Sequence, residues 1–179
     1  MDEELEAERR ERAAKRAAAD ALKEQGTTKY KAKDFAAARA LYLQAVETDD
    51  TNAAYLSNLA AVAVEEKAWD EAVDWCDKAL AVAAVHKVDS AQKARIYLRK
   101  ANALTKVNKW ADAIAAYKWS ILEENSGAAR DALRKAESAK RAYETQAYLD
   151  PVKSEEEKEV RQFPKARDSS LISRGYNIC

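Results

Sequence analysis

The feature that most constrains this chain is a set of residues that returns at a fixed interval. Leu22, Gly26, Phe35, Ala38, Tyr42 and Ala45 are followed 34 positions later by Leu56, Ala60, Trp69, Ala72, Cys76 and Ala79. A third set, Tyr97, Ala101, Trp110, Ala113, Tyr117 and Ser120, follows at a displacement of 41, so seven residues are inserted before the third copy while its internal spacing is kept. Self-similarity at a period of about 20 to 50 residues marks stacked supersecondary units, each too small to bury its apolar face alone.

Each copy reads as two amphipathic helices joined by a tight turn. In the third, from Ala94 to Ile121, apolar residues fall on helical spacings, Asn108-Lys109 interrupts them, and a second periodicity begins at Trp110. Small residues at Gly26, Ala60 and Ala101, and at Ala38, Ala72 and Ala113, allow the two helices of a hairpin to approach closely. Phe35, Trp69 and Trp110 are expected to open each second helix and cover the hairpin base. Tyr42, Cys76 and Tyr117 are expected to fill the space between neighbouring repeats.

Composition agrees. The chain is rich in Ala, Lys, Glu, Arg and Leu, with three Gly and two Pro in 179 residues, which predicts an all-α fold of helices linked by short turns. Lys plus Arg and Asp plus Glu both total 31, so no net field favours nucleic acid or an anionic membrane. The basic cluster Arg9, Arg10, Arg12, Lys15 and Arg16 is offset by interleaved glutamates and has no aromatic stacking partner. No apolar run of about 18 residues occurs, and the charged start MDEELEAERRER has no apolar signal segment. The expectation is a soluble cytoplasmic protein with neither membrane nor nucleic-acid partner.

Function classes narrow in the same way. The single histidine, His86, lies in the inserted segment and is assigned no role. Cys76 reads as a small core residue, and Cys179 as an exposed thiol without the residues of a prenylation box. No glycine-rich phosphate loop, metal-ligand spacing or nucleophile motif is present, so no cofactor, metal or catalysis is expected, and the activity points to binding.

The organisation follows. Residues 1–18 read as a charged, solvated helical extension, 19–147 as three hairpins plus a capping helix, and 148–179 as a flexible tail. The inserted stretch around Ala83 to Gln92 should lengthen a helix or a loop, with Ser90 as N-cap of the helix after it. Gly127 to about Gln146 forms the capping helix, with Ala128, Ala132, Leu133, Ala136, Ala139 and Tyr143 toward one side. After Asp150-Pro151 the pattern lapses.

The repeat resembles the tetratricopeptide repeat, whose signature has small residues at its eighth, twentieth and twenty-seventh positions. Three copies cover about Ala19 to Asn125, with Asp50-Thr51-Asn52 and Asn125-Ser126-Gly127 where that family usually has proline. The resemblance implies a right-handed superhelical solenoid whose first helices line a concave side. On those helices Lys23, Thr27, Asn58, Arg95 and Arg99 form a set of donors, mostly cationic, suited to a carboxylate.

These positions resemble the dicarboxylate clamp of chaperone-binding tetratricopeptide domains of the heat-shock organising type. That clamp is lysine, asparagine, asparagine, lysine and arginine. Lys23, Asn58 and Arg99 match, Arg95 keeps the charge, and Thr27 stands in place of an asparagine. Tyr30, Glu65 and Asn102 resemble neighbouring peptide-contacting positions. The resemblance implies a non-catalytic, co-chaperone-like adaptor that binds the acidic C-terminal tail of a ninety- or seventy-kilodalton heat-shock chaperone. The alternative is a scaffold of the same fold that meets its partners through the tail or another surface.

Overall fold

The computed structural model describes residues 2–162, and every described element is helical: α1 (Asp2–Lys31), α2 (Phe35–Thr48), α3 (Ala53–Glu65), α4 (Trp69–Val85), α5 (Ser90–Lys106), α6 (Trp110–Glu123) and α7 (Gly127–Gln162). The chain forms two compact units. The first, residues 1–140, holds α1 to α6 and the start of α7. The second, residues 141–179, holds the rest of α7.

Within the first unit each odd-numbered helix packs most extensively on the helix that follows it, making three hairpins. Contacts of α2 with α3 and α4 with α5 stack the hairpins, and α3 also touches α5 directly. The second helices open at Phe35, Trp69 and Trp110, in the register of the repeat. The turns share one geometry as well. Lys33, Lys67 and Asn108 all have positive φ, at 61°, 61° and 58°. At each turn the next backbone N–H reaches five residues back, from Asp34 to Lys29, Ala68 to Ala63 and Lys109 to Leu104. This left-handed residue is the Schellman ending of a helix, which satisfies carbonyls the helix leaves open.

The small positions do what the repeat requires. Ala38, Ala60, Ala72, Ala101 and Ala113 are all fully buried. At Gly26 the fit is tighter still: an added Cβ would lie 2.6 Å from Cε1 of Tyr42 and 2.8 Å from Cδ1. The main core gathers Tyr42, Leu56, Leu59, Val62 and Cys76 of the first two hairpins with Ile96 of the third, and a second cluster joins Ala101, Leu104, Ala113, Tyr117 and Ala136.

The seven inserted residues enter helices and leave the loop length unchanged. α4 has 17 residues against 14 in α2, and α5 has 17 against 13 in α3, which accounts for all of them. The cap of α5 is Asp89 rather than Ser90: its carboxylate accepts the Gln92 N–H at 2.6 Å, and Ser90 becomes the first helical residue. An ionised carboxylate at a helix N-terminus also meets the positive end of the helix dipole, an advantage a serine lacks.

The charged extension and the first repeat helix are one continuous element, α1, with residues 3–18 exposed and Ala19 the first buried residue. On α7 the buried stripe begins one residue later than expected. Ala129 and Ala136 are buried, Ala132 and Leu133 pack on the third hairpin, and Ala128 is exposed. The helix continues through residue 162 instead of ending near Gln146, because Lys153 to Gln162 consists almost entirely of good helix formers. Of the tail expected over 148–179, residues 148–162 are part of α7, and the remainder, Cys179 included, lies outside the described residues.

Candidate functional site

The eight residues singled out from the sequence all fall on the first helices of the hairpins. Lys23, Thr27 and Tyr30 are on α1, Asn58 and Glu65 on α3, and Arg95, Arg99 and Asn102 on α5. Three hydrogen bonds made by these residues tie the helices across the shared face. The Tyr30 hydroxyl donates to Glu65 Oε1 at 3.1 Å, and Arg99 Nη1 donates to the carbonyl of Ser57 at 2.6 Å and to its hydroxyl at 2.5 Å.

Arg99 is the unusual member. Burial pushes its guanidinium below the ordinary arginine range, and the neighbouring Arg95 adds to that. Only the weakly acidic Cys76, Tyr30 and Tyr42 oppose it. No ion pair to Arg99 forms among the described residues. Arg39, on the outer helix α2, shows the ordinary arrangement. It bridges Glu71 and Glu66 across two repeats, and these carboxylates raise its guanidinium despite partial burial. A guanidinium held by neutral acceptors keeps most of its charge unmatched. An arriving carboxylate would supply the missing counter-charge in a partly desolvated place, where charge-assisted hydrogen bonds are strongest.

Arg95 lies one helical turn before Arg99, is exposed, and makes no ion pair among the described residues. Asn58 is half-buried beside Ser57. These three present the open donors of the face.

Lys23 is differently placed. Its ammonium donates to Asp20 Oδ1 at 3.0 Å and lies 3.3 Å from Glu24 Oε1. Burial would lower the ammonium, but Asp20 and then Glu24 outweigh it and hold it above the usual lysine range. Asp20 Oδ1 also accepts the hydroxyl of the fully buried Tyr55 at 3.1 Å, so the pair is tied into the next repeat.

Thr27 and Asn102 occupy the same repeat position and are both engaged by the tyrosine of their own hairpin. Tyr42 donates to Thr27 Oγ1 at 3.2 Å, and Tyr117 donates to Asn102 Oδ1 at 2.6 Å. These tyrosines were expected between repeats; their rings do enter the shared cores, but their hydroxyls turn back into the hairpin. Thr27 spends its one hydroxyl proton on the Lys23 carbonyl at 2.9 Å, leaving no donor for a ligand. Asn102, engaged through its oxygen, keeps both amide protons.

Sequence reasoning passed over Ser57, the anchor of Arg99, and Asp20, the partner of Lys23. Asp20 had a local signal, three residues before a lysine on one helix. Ser57 had none, because its role depends on how α5 stacks against α3. Among the described residues no group of side chains forms a metal site, and no described helix is long and apolar enough to cross a membrane.

The tetratricopeptide repeat profile matches residues 49–121. The chain is 37% identical over 147 residues to the Hsp70-Hsp90 organizing protein of Triticum aestivum, covering 80% of this chain and 25% of that protein. It spans about a quarter to a third of the length of several such curated relatives. Among solved structures, the first TPR of Spaghetti (RPAP3), bound to the HSP90 peptide SRMEEVD, is 25% identical with a TM-score of 0.63, covering 69% of this chain and 94% of that one. The N-terminal domain of stress-induced protein-1 (STI-1) from C. elegans is 33% identical with a TM-score of 0.65, covering 69% of this chain and 98% of that domain. With its three hairpins in a common register and this identity over nearly the whole of a solved domain, the chain belongs to the tetratricopeptide repeat family, as a relative of the Hsp70-Hsp90 organizing proteins.

Proposed function

We propose that the face built by α1, α3 and α5 binds the free, acidic C-terminal tail of a cytosolic heat-shock chaperone, and that the protein is a non-catalytic adaptor. The observation that carries this reading is Arg99: a part-buried guanidinium anchored to the neutral Ser57, with Arg95 one turn away and no carboxylate paired to either among the described residues. Two adjacent cations with unmatched charge suit a ligand that brings two carboxylates close together, as a terminal carboxylate beside an acidic side chain does. A solved relative, 25% identical, holds a peptide of that kind.

In this reading Arg95 and Arg99 take the paired carboxylates and Asn58 donates its amide to them. Lys23 gives its third ammonium proton, the two others being engaged by Asp20 and Glu24. Asn102 donates to the peptide backbone, Tyr30 and Glu65 flank the part of the peptide upstream of its end, and Thr27 lines the groove without donating. Calorimetric titration with SRMEEVD tests it. The wild-type chain should bind, and the Arg95→Ala/Arg99→Ala double variant should lose binding while staying folded. Equal binding by the two would defeat the reading.

A further inference from the structure

Resting on that reading, we infer that Asp20 and Glu24 are built-in competitors for Lys23, carboxylates of the chain itself that occupy the lysine end of the groove and weaken its hold on an acidic peptide. The two ends of the groove carry opposite electrostatic balances. On α5, Arg95 and Arg99 have no ion-pair partner among the described residues. On α1, the single charge of Lys23 faces two carboxylates within 3.3 Å of its nitrogen. Lys23 and its two carboxylates together carry a formal charge of −1 before a ligand arrives.

Neither carboxylate is placed there to support the groove wall alone. Asp20 Oδ1 accepts both Lys23 and the Tyr55 hydroxyl. That second bond fixes Asp20 against α3, so it cannot simply swing away when a peptide enters. Glu24 is more exposed, with 71% of its side-chain surface accessible, and its Oε1 lies 3.3 Å from the Lys23 nitrogen. An incoming carboxylate must therefore share the ammonium with two fixed-charge neighbours, and it meets their repulsion as it approaches. Like charges held this close disfavour a third, as they do at any crowded carboxylate site. Arg16, one turn before Asp20 on α1, is the other cation acting on this cluster, and it acts on Asp20.

Neutralising either carboxylate should tighten peptide binding. Asp20→Asn retains an oxygen for the Tyr55 hydroxyl, and Glu24→Gln alters an exposed side chain, so the second variant keeps the test valid if the first unfolds. Each is expected to lower the Kd for SRMEEVD by about two- to fivefold, the range of an exposed charge interaction. In a Lys23→Ala background the gain from Glu24→Gln should shrink, because the competition runs through that ammonium.

Unchanged or weaker binding in both variants, with Arg99→Ala still abolishing it, would overturn the competition and leave the groove reading intact. Failure of every form to bind, wild type included, would overturn the groove reading and this inference with it. A full gain that persists without Lys23 would assign the effect to general repulsion and would also overturn it.

Discussion

The Arg99 guanidinium donates to both the carbonyl oxygen of Ser57, at 2.6 Å, and its hydroxyl, at 2.5 Å, so a part-buried charge of α5 is held by neutral atoms of α3. Such a contact fixes a position without neutralising it. Desolvating the charge costs free energy, and only neutral acceptors offset that cost in the free protein. In the proposed function a carboxylate of the ligand would supply the remainder.

Arg99→Met separates these roles. Replacing a part-buried charge that has no ion-pair partner with an apolar side chain of similar length should leave stability unchanged or raised. Peptide affinity should fall by tenfold or more, about 1.4 kcal/mol or above. Thermal melting and titration of the same sample check both parts. A melting temperature lower by many degrees would make Arg99 a structural residue instead.

Gly26→Ala should destabilise the protein. Alanine is the better helix former by about 0.5–1 kcal/mol, but its Cβ would stand 2.6 Å from the Tyr42 ring. Overpacking of this kind costs about 1–3 kcal/mol, so the clash wins. In the second repeat Ala60 and Cys76 hold the equivalent positions in one core. Adding Tyr42→Cys to Gly26→Ala should therefore recover part of the loss, as urea unfolding midpoints would show.

At the turn between α3 and α4, Lys67→Gly and Lys67→Val should diverge. Lys67 has a φ of 61°, a conformation that costs an L-residue roughly 1–2 kcal/mol. Glycine adopts it freely, so that variant should be neutral or slightly more stable. A β-branched valine cannot adopt it without strain and should lose stability. Equal melting temperatures for the two would contradict the turn geometry.

Alkaline pH should weaken the fold. Burial pushes the Cys76 thiol up to about 12, and burial together with Asp20 pushes the Tyr55 hydroxyl up to about 12. Both are acids whose neutral form the folded state prefers. The stability they contribute is fully present below their unfolded ionisation range and is lost as pH rises through their folded values. The decline should run from about pH 9 to pH 12, and the Cys76→Ala/Tyr55→Phe double variant should show a shallower loss. Unfolding midpoints across this range test the sign, and a flat profile for the wild type would contradict it.

Residues that pack by period were legible in the sequence. Phe35, Trp69 and Trp110 open their helices in the register of the period, and Ala72 and Ala113 are fully buried on it. The turn conformation was not legible, since lysine at Lys33 and Lys67 carries no preference for positive φ, and only Asn108 is a residue type that favours it. The positions of the site residues on three first helices followed from the same period. Their pairings did not, because Asp20 with Tyr55 and Arg99 with Ser57 depend on how far one hairpin rotates against the next. Thr27 shows the difference most clearly. Its place on α1 followed from the register, but the spending of its hydroxyl on Lys23 and Tyr42 is a property of the packed hairpin.

In the proposed function the groove recognises a terminal carboxylate beside an acidic side chain. Titrating the wild-type protein with SRMEEVD and with the same peptide amidated at its C-terminus tests that most directly. The amide removes one of the two charges offered to Arg95 and Arg99 and leaves every side chain in place. Binding of the free acid, with a loss of tenfold or more on amidation, is the expected result; equal affinity for the two peptides would contradict it.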